Sequence, residues 1–317
     1  MSPPSVPWID TGRLGELMPM ADAIDAVRAA LTSGFDPAQD PARAVVPVTR
    51  GQLLLMPAEV GPDVGVKVAS VAPANPDAGR PRIQAVYVLM DAETLSPVCL
   101  LDGSMLTALR TPAVSAVAAD LLAAPEAARL VVFGSGPQAL GHVEALGVIR
   151  PISEVTVVAR DPERLAGFVD RVAATGTAVT AGDPDAVAEA DVVVCATTAA
   201  EPVLDHRWVR DDCCVVAVGS HEPDRRELPA ELLARATVVV EERRTARREA
   251  GDVVLAIESG FIDADGLVEL TALANGRAEF DRTRPRVFKS VGMAWEDLVI
   301  AAAAHRRISQ GAMTADK

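Results

Sequence analysis

The spacing of apolar residues changes twice along the chain, near residue 43 and near residue 129, and each change marks a different kind of structure. Residues 13 to 34 return Leu14, Leu17, Met18, Ile24, Val27 and Leu31 at three- and four-residue steps before Gly34, which predicts one helix with one covered face. From Arg43 the pattern reads as strands. R-A-V-V-P-V-T-R-G-Q-L-L-L-M over 43–56 predicts two strands joined at Arg50-Gly51, and 64–71, 83–90 and 98–101 predict further ones, separated by a Pro- and Gly-rich loop and a turn. Short, closely linked strands predict a largely antiparallel first domain. An alanine-rich stretch, 104–124, then predicts one or two helices.

From residue 129 the pattern alternates: strand 129–133, helix 137–149, strand 154–159, helix 162–174, strand 177–180, helix 184–189, strands 191–195 and 214–218, helix 229–234 and strand 237–240. This is the order of a doubly wound parallel sheet. The charged run Glu241 to Glu249 predicts an exposed helix face, and 287–317 predicts a last amphipathic helix that folds back on the first domain. The fold class is therefore α/β: a Rossmann dinucleotide-binding domain over 114–290, with a discontinuous α+β domain over 1–113 and 291–317.

The chemistry begins at A-R-L-V-V-F-G-S-G-P-Q-A, residues 128–139. An apolar strand runs into a turn in which Gly134 permits the bend, Gly136 lets the backbone approach a pyrophosphate and Ala139 packs helix against strand. With Pro137 and Gln138 opening the helix, its first amides would face the phosphates. Glycine turns between strands and helices are common, so the next strand supplies the context. Its tip, after E-V-T-V-V-A at 154–159, carries Arg160, with Arg164 beyond it. An acidic residue there would hold ribose hydroxyls, whereas arginine suits a 2′-phosphate, so NADP (as NADPH) is preferred and NAD stays open because Asp161 is one position away.

Composition narrows the partners. A net charge of −14 over 317 residues argues against nucleic acid and anionic membranes. Cys99, Cys195, Cys213 and Cys214 lack metal-site spacing, so no metal is expected and reduced thiols in the cytoplasm are the natural reading. The first residues lack the pattern of a signal peptide, and no apolar run is expected to reach membrane-spanning length, 291–304 being interrupted by Glu296 and Asp297.

R-A-V-V-P-V-T at 43–49, V-K-V-A at 66–69, V-L-M-D-A-E-T at 88–94, L-L-D-G-S-M-L-T-A-L-R-T at 100–111, the glycine turn at 134–139 and E-A-G-D-V-V at 249–254 together resemble the ornithine cyclodeaminase/mu-crystallin family over nearly the whole chain. The resemblance implies that the first domain binds substrate and forms a homodimer. It implies that Arg43, Lys67 and Arg110 meet in a cleft, the arginines gripping a substrate carboxylate and Lys67 lying beside the reacting carbon–nitrogen bond. It adds Thr111, Thr197 and Gly292 as cofactor contacts, Gly292 near the nicotinamide, and Glu249 as a proton donor to an imine. Asp252 is expected to fix its loop.

The family divides by reaction. Cyclodeaminases are similar to one another in carrying an aspartate where this chain has His221, in G-S-H-E-P-D-R-R-E-L at 219–228. That departure points to an NAD(P)H-dependent ketimine reductase or amino-acid dehydrogenase, acting on a small imino, keto or amino acid. His221 either relays a proton or caps its loop. An ammonia-eliminating cyclodeaminase and a non-catalytic NADP-dependent binding protein are the alternatives.

Overall fold

The computed structural model describes the backbone of residues 6–315 and the side chains of residues 6–310; the expected ends of the first domain and of the last helix lie outside the described residues. The chain resolves into two units, Met1–Arg110 with Met293–Lys317, and Thr111–Gly292. The divisions fall at 110/111 and 292/293, against the expected 113/114 and 290/291.

The first unit contains β1 (Trp8–Ile9), α1 (Thr11–Leu17), α2 (Met20–Thr32), β2 (Ala44–Val48), β3 (Gly51–Val60), β4 (Asp63–Val71), β5 (Ile83–Asp91), β6 (Pro97–Asp102) and the start of α3 (Gly103–Leu122). The single helix expected over 13–34 is two, because Pro19 has no amide to continue the ladder and sits as the N-cap of α2. The sheet order is β1-β6-β5-β4-β3-β2, antiparallel throughout except for the β1–β6 pair. Along β4 every second residue is buried: Gly65, Lys67, Ala69 and Val71. Tyr87 crowds this face, since a Cβ on Gly65 would lie 2.5 Å from its hydroxyl oxygen.

The second unit continues with β7 (Arg129–Phe133), α4 (Pro137–Ile149), β8 (Glu154–Val158), α5 (Pro162–Ala173), β9 (Ala178–Ala181), β10 (Val192–Cys195), β11 (Cys214–Ala217), α6 (Ala230–Arg235), β12 (Thr237–Val240), α7 (Arg243–Glu249), α8 (Gly251–Glu258), β13 (Val268–Glu269), α9 (Leu270–Ala274) and β14 (Arg286–Lys289). Its sheet is wholly parallel, in the order β13-β12-β14-β11-β10-β7-β8-β9. Strands β7, β10 and β11 are nearly uniformly buried Val, Leu, Cys, Ala and Phe, as a sheet covered on both faces requires.

Three sequence expectations need correction here. Residues 287–289 are not part of a terminal helix; with Arg286 they form a strand between β11 and β12. Its ends are charged, and R-V-F-K gives no strand-like run. Burial of Arg286 is made possible by backbone acceptors, since its guanidinium donates to the carbonyls of Leu122, Asp211 and Asp212. Second, the charged run at 241–249 is not all surface: Glu241 and Glu242 are buried, and Glu242 caps α7 by accepting from the amides of Arg244 and Thr245. Third, α3 is long and apolar enough to cross a bilayer, contrary to the expectation from sequence. Most of it is buried within the protein.

The last helix, α10 (Ala294–Ala315), returns to the first unit and packs on β3 and β4. Its first turns are covered on every side, from Ala294 through Ala302, and this includes Glu296 and Asp297.

Candidate active site

The parity of β4 places Lys67 on the face covered by α10, where it is 3% exposed. A buried ammonium needs a partner. Asp297 supplies it at 2.5 Å, and the Thr107 hydroxyl accepts a second bond at 3.2 Å. One residue earlier on α10, Glu296 accepts from Arg110 Nη1 at 2.9 Å, while Arg110 Nε lies 4.0 Å from Asp297. Two of the cations expected in the site are thus brought together through adjacent acids on one helix. Arg43, half-buried just before β2, also acts electrostatically on Lys67.

These surroundings set the proton affinities. Burial pulls Lys67 down to about 8; Asp297 opposes that shift, and Arg110 and Arg43 add to it. Asp40 accepts from the amides of Ala294 and Trp295 and so caps α10 from a distance in sequence. Burial pushes its carboxyl up to about 7 against those two bonds. A folded-state value above the unfolded one means that folding retains a proton between about pH 4 and 7, so this group's contribution to stability declines as pH rises through that window. Asp40→Asn keeps an acceptor for both amides and removes the titration. The stability of wild type relative to this variant should therefore fall from pH 4 to pH 7, measured by urea unfolding.

In the second unit the residues of the glycine turn fit a dinucleotide. Gly134 has φ +108°, and a Cβ there would lie 2.5 Å from the carbonyl of Ala196, so only glycine suits this close crossing. A Cβ on Gly136 would meet nothing within 4 Å, which leaves open space where a pyrophosphate would lie. Gly136 is also the N-cap of α4, with no side chain to offer the first-turn amides, and Pro137 opens the helix. Gln138 is half-buried; Ala139 is fully buried, where helix meets strand. Thr111 is buried in α3, next in sequence to Arg110.

At the tip of β8, Arg160 is exposed. Asp161 accepts from the amides of Glu163 and Arg164, capping α5, and also pairs with Arg164 at 3.3 Å. Replacing Asp161 with alanine should cost about 1 kcal/mol in unfolding experiments, the usual value of such a cap.

Buried acids also organise the carboxyl ends of the parallel strands. Glu227 accepts from the amide and hydroxyl of Thr197, both at 2.7 Å, and from the amide of Gly219 at 2.7 Å. The hydroxyl proton of Thr197 is thus committed within the protein. Asp252 accepts from the amides of Glu227 and Leu228 and pairs with Lys289 at 3.0 Å. Gly292 donates its amide to Glu241, which also holds Ser290 and Val291. His221 is exposed on the loop after Gly219, and Glu249 ends α7 with its carboxylate against Arg248 at 2.5 Å. The four cysteines are buried and free.

Comparison with known proteins decides the family. A sequence model of the ornithine cyclodeaminase/mu-crystallin family matches residues 10–312. The chain belongs to that family. It is 36% identical over 275 residues to the ketimine reductase mu-crystallin of Mus musculus, covering 86% of each chain. It is also similar to Delta(1)-pyrroline-2-carboxylate reductase of Thermococcus litoralis, whose structure was solved in complex with NADH and L-proline: TM-score 0.92, 28% identity, covering 97% of this chain and 98% of that one. An archaeal alanine dehydrogenase dimer with bound NAD aligns at TM-score 0.90 and 26% identity over 96% of this chain and 97% of that one.

In the sequence of this family member no motif marks Asp40, Glu296 or Asp297 as site residues, nor Glu227, Glu241 or Lys289. The signal for Glu296 and Asp297 was present: two adjacent acids inside the apolar run 293–304 are too costly to bury without cations. No local pattern names Lys67 and Arg110 as those cations.

Proposed function

We propose that the chain is an NADPH-dependent reductase of carboxylate-bearing imines, of the pyrroline-2-carboxylate or piperideine-2-carboxylate kind, producing an α-amino acid. The observation that carries this reading is a buried lysine lowered to about 8, on which two arginines act, in a member of a family that includes reductases of such imines. Arg43 and Arg110 bind the substrate carboxylate. Glu296 fixes the plane of the Arg110 guanidinium, which favours a fork-like grip on a planar acid. Lys67 donates a proton to the imine nitrogen, and Asp297 keeps it charged until it does so. When bound, the reduced nicotinamide supplies the hydride to the imine carbon. Glu249 or His221 completes the proton path.

The preference for NADPH over NADH rests on the tip of β8. Asp161 is occupied in capping α5 and pairing with Arg164, which makes it a poor ligand for ribose hydroxyls, and Arg160 is exposed beside it. A homodimer is supported by β2, an edge strand with every residue exposed, among them Val45, Val46 and Val48. Sedimentation should give twice the chain mass.

The test is consumption of NADPH with piperideine-2-carboxylate or pyrroline-2-carboxylate, alongside an ammonia assay with ornithine and lysine. Turnover of an imine without ammonia release is the expected result. No turnover of any imine or keto acid would overturn the reading, and dissociation constants favouring NADH would overturn the cofactor preference.

A further inference from the structure

In an open parallel sheet a ligand lies across the carboxyl ends of the strands, at the point where the strand order reverses. Here that point is beside β7, with β8 on one side and β10, β11 and β14 on the other. A dinucleotide whose pyrophosphate meets the turn after β7 and whose adenosine end reaches the tip of β8 must lay its other half over the ends of β10 and β11. The backbone at those ends is unusually close. A Cβ on Gly134 would strike the carbonyl of Ala196 at 2.5 Å, and one on Gly219 would lie 2.1 Å from the carbonyl of Thr197 and 2.5 Å from Glu227 Oε1.

One side chain joins these ends. Glu227 is fully buried, and its two carboxylate oxygens take three short bonds, from the amide and hydroxyl of Thr197 after β10 and from the amide of Gly219 after β11. Its own backbone is fixed in turn, because Asp252 accepts from the amides of Glu227 and Leu228. Lys289, at the end of β14, pairs with Asp252 and donates to the carbonyl of Ser220, on the loop that carries His221. Two acids and one lysine therefore tie three strand ends into one floor. An apolar residue at 227 would leave the Thr197 and Gly219 donors without this acceptor, and charge-assisted bonds of this length are among the strong ones.

We infer that Glu227 is a positioning residue for the nicotinamide half of the nucleotide site, acting through the backbone of Thr197 and Gly219. The inference rests on the nucleotide-binding reading above but not on imine reduction. A side chain that only held the fold together would affect stability and leave the affinity for nucleotide alone. A side chain that shapes the floor should change affinity in the folded protein.

The experiment is titration of NADPH fluorescence in the absence of imine, with thermal unfolding in parallel. Glu227→Gln keeps the size of the side chain but presents an amide donor to one of the donors it must accept from. Its dissociation constant for NADPH should rise about tenfold, the loss of roughly one charge-assisted bond. The KM for imine should change less than about twofold. Should Glu227→Gln fail to fold, the pair Thr197→Val and Thr197→Ser gives the same reading, because only serine keeps the hydroxyl that donates to Glu227. Valine should bind NADPH more weakly than serine. A folded Glu227→Gln with wild-type affinity, or Thr197→Val binding as Thr197→Ser does, would overturn the inference. Wild type that binds NADPH and reduces no imine would sink the proposed reaction and leave this assignment standing.

Discussion

Lys67→Met is expected to lower kcat for imine reduction by about 10²–10⁴-fold, the range that a positioned proton donor usually supplies. The substitution does two things at once. It removes the donor, and it strands Asp297, whose side chain is 0% exposed, without the ammonium that faces it at 2.5 Å. Breaking a buried pair from one side costs about 3–5 kcal/mol, so the single variant loses stability as well as rate. A second change separates the two losses. Asp297→Leu in the Lys67→Met background removes the stranded carboxylate, and because Lys67 Nζ donates to Asp297 at 2.5 Å while Arg110 Nε comes only to 4.0 Å, much of the stability should return while activity does not. Recovery of activity with stability would show that Lys67 serves the fold alone.

The same pair sets a pH dependence. Lys67 must be protonated to donate, so kcat/KM should fall above about pH 8. Asp297 holds the lysine's proton on; Asp297→Asn removes that attraction while burial and the neighbouring arginines still act. The alkaline limb should therefore move to lower pH, and a shift in the opposite direction would exclude Lys67 as the titrating group. The stability effect has its own sign. Because the folded value of about 8 lies below the ordinary 10.5, the unfolded chain binds more protons between them, and stability from this group rises with pH across that window.

These residues also show where the sequence is legible and where it is not. Lys67 stands out because a lysine in V-G-V-K-V-A-S-V breaks an apolar strand, and strand parity alone turns it inward. The glycine turn at 134–139 is legible because its requirements are local: a positive φ, an open space and a close helix. Neither Asp297 nor Asp40 can be assigned that way. Asp297 acquires its role from a strand 230 residues earlier, and Asp40 from a helix start some 254 residues later. Strand β14 fails for a related reason. Its two central residues are apolar, but Arg286 and Lys289 are made burial-competent only by distant carbonyls and by Asp252. Pro19 is different, since the break it imposes was visible and the apolar period obscured it.

Lys289→Met should destabilise the protein by about 3–5 kcal/mol, read as a lower urea midpoint at unchanged m. Both side chains of the Lys289–Asp252 pair are fully buried, at 3.0 Å, so neither screening nor hydration compensates for loss of the lysine. An exposed pair makes the contrast: Arg28→Ala, which breaks a contact with Asp25 at 39% and 72% side-chain exposure, should cost no more than about 0.5 kcal/mol. The two buried lysines should also differ from each other. At Asp297, removing the second partner relieves the strain of the first change, because that carboxylate mainly serves Lys67. At Asp252 it should not, since Oδ1 also accepts from the amides of Glu227 and Leu228, and leucine would leave both donors buried and unmet. Lys289→Met with Asp252→Leu is therefore expected to be less stable than Lys289→Met alone. Recovery in that double variant would mean that the strand ends are held without Asp252, and the floor built on Glu227 would lose its support.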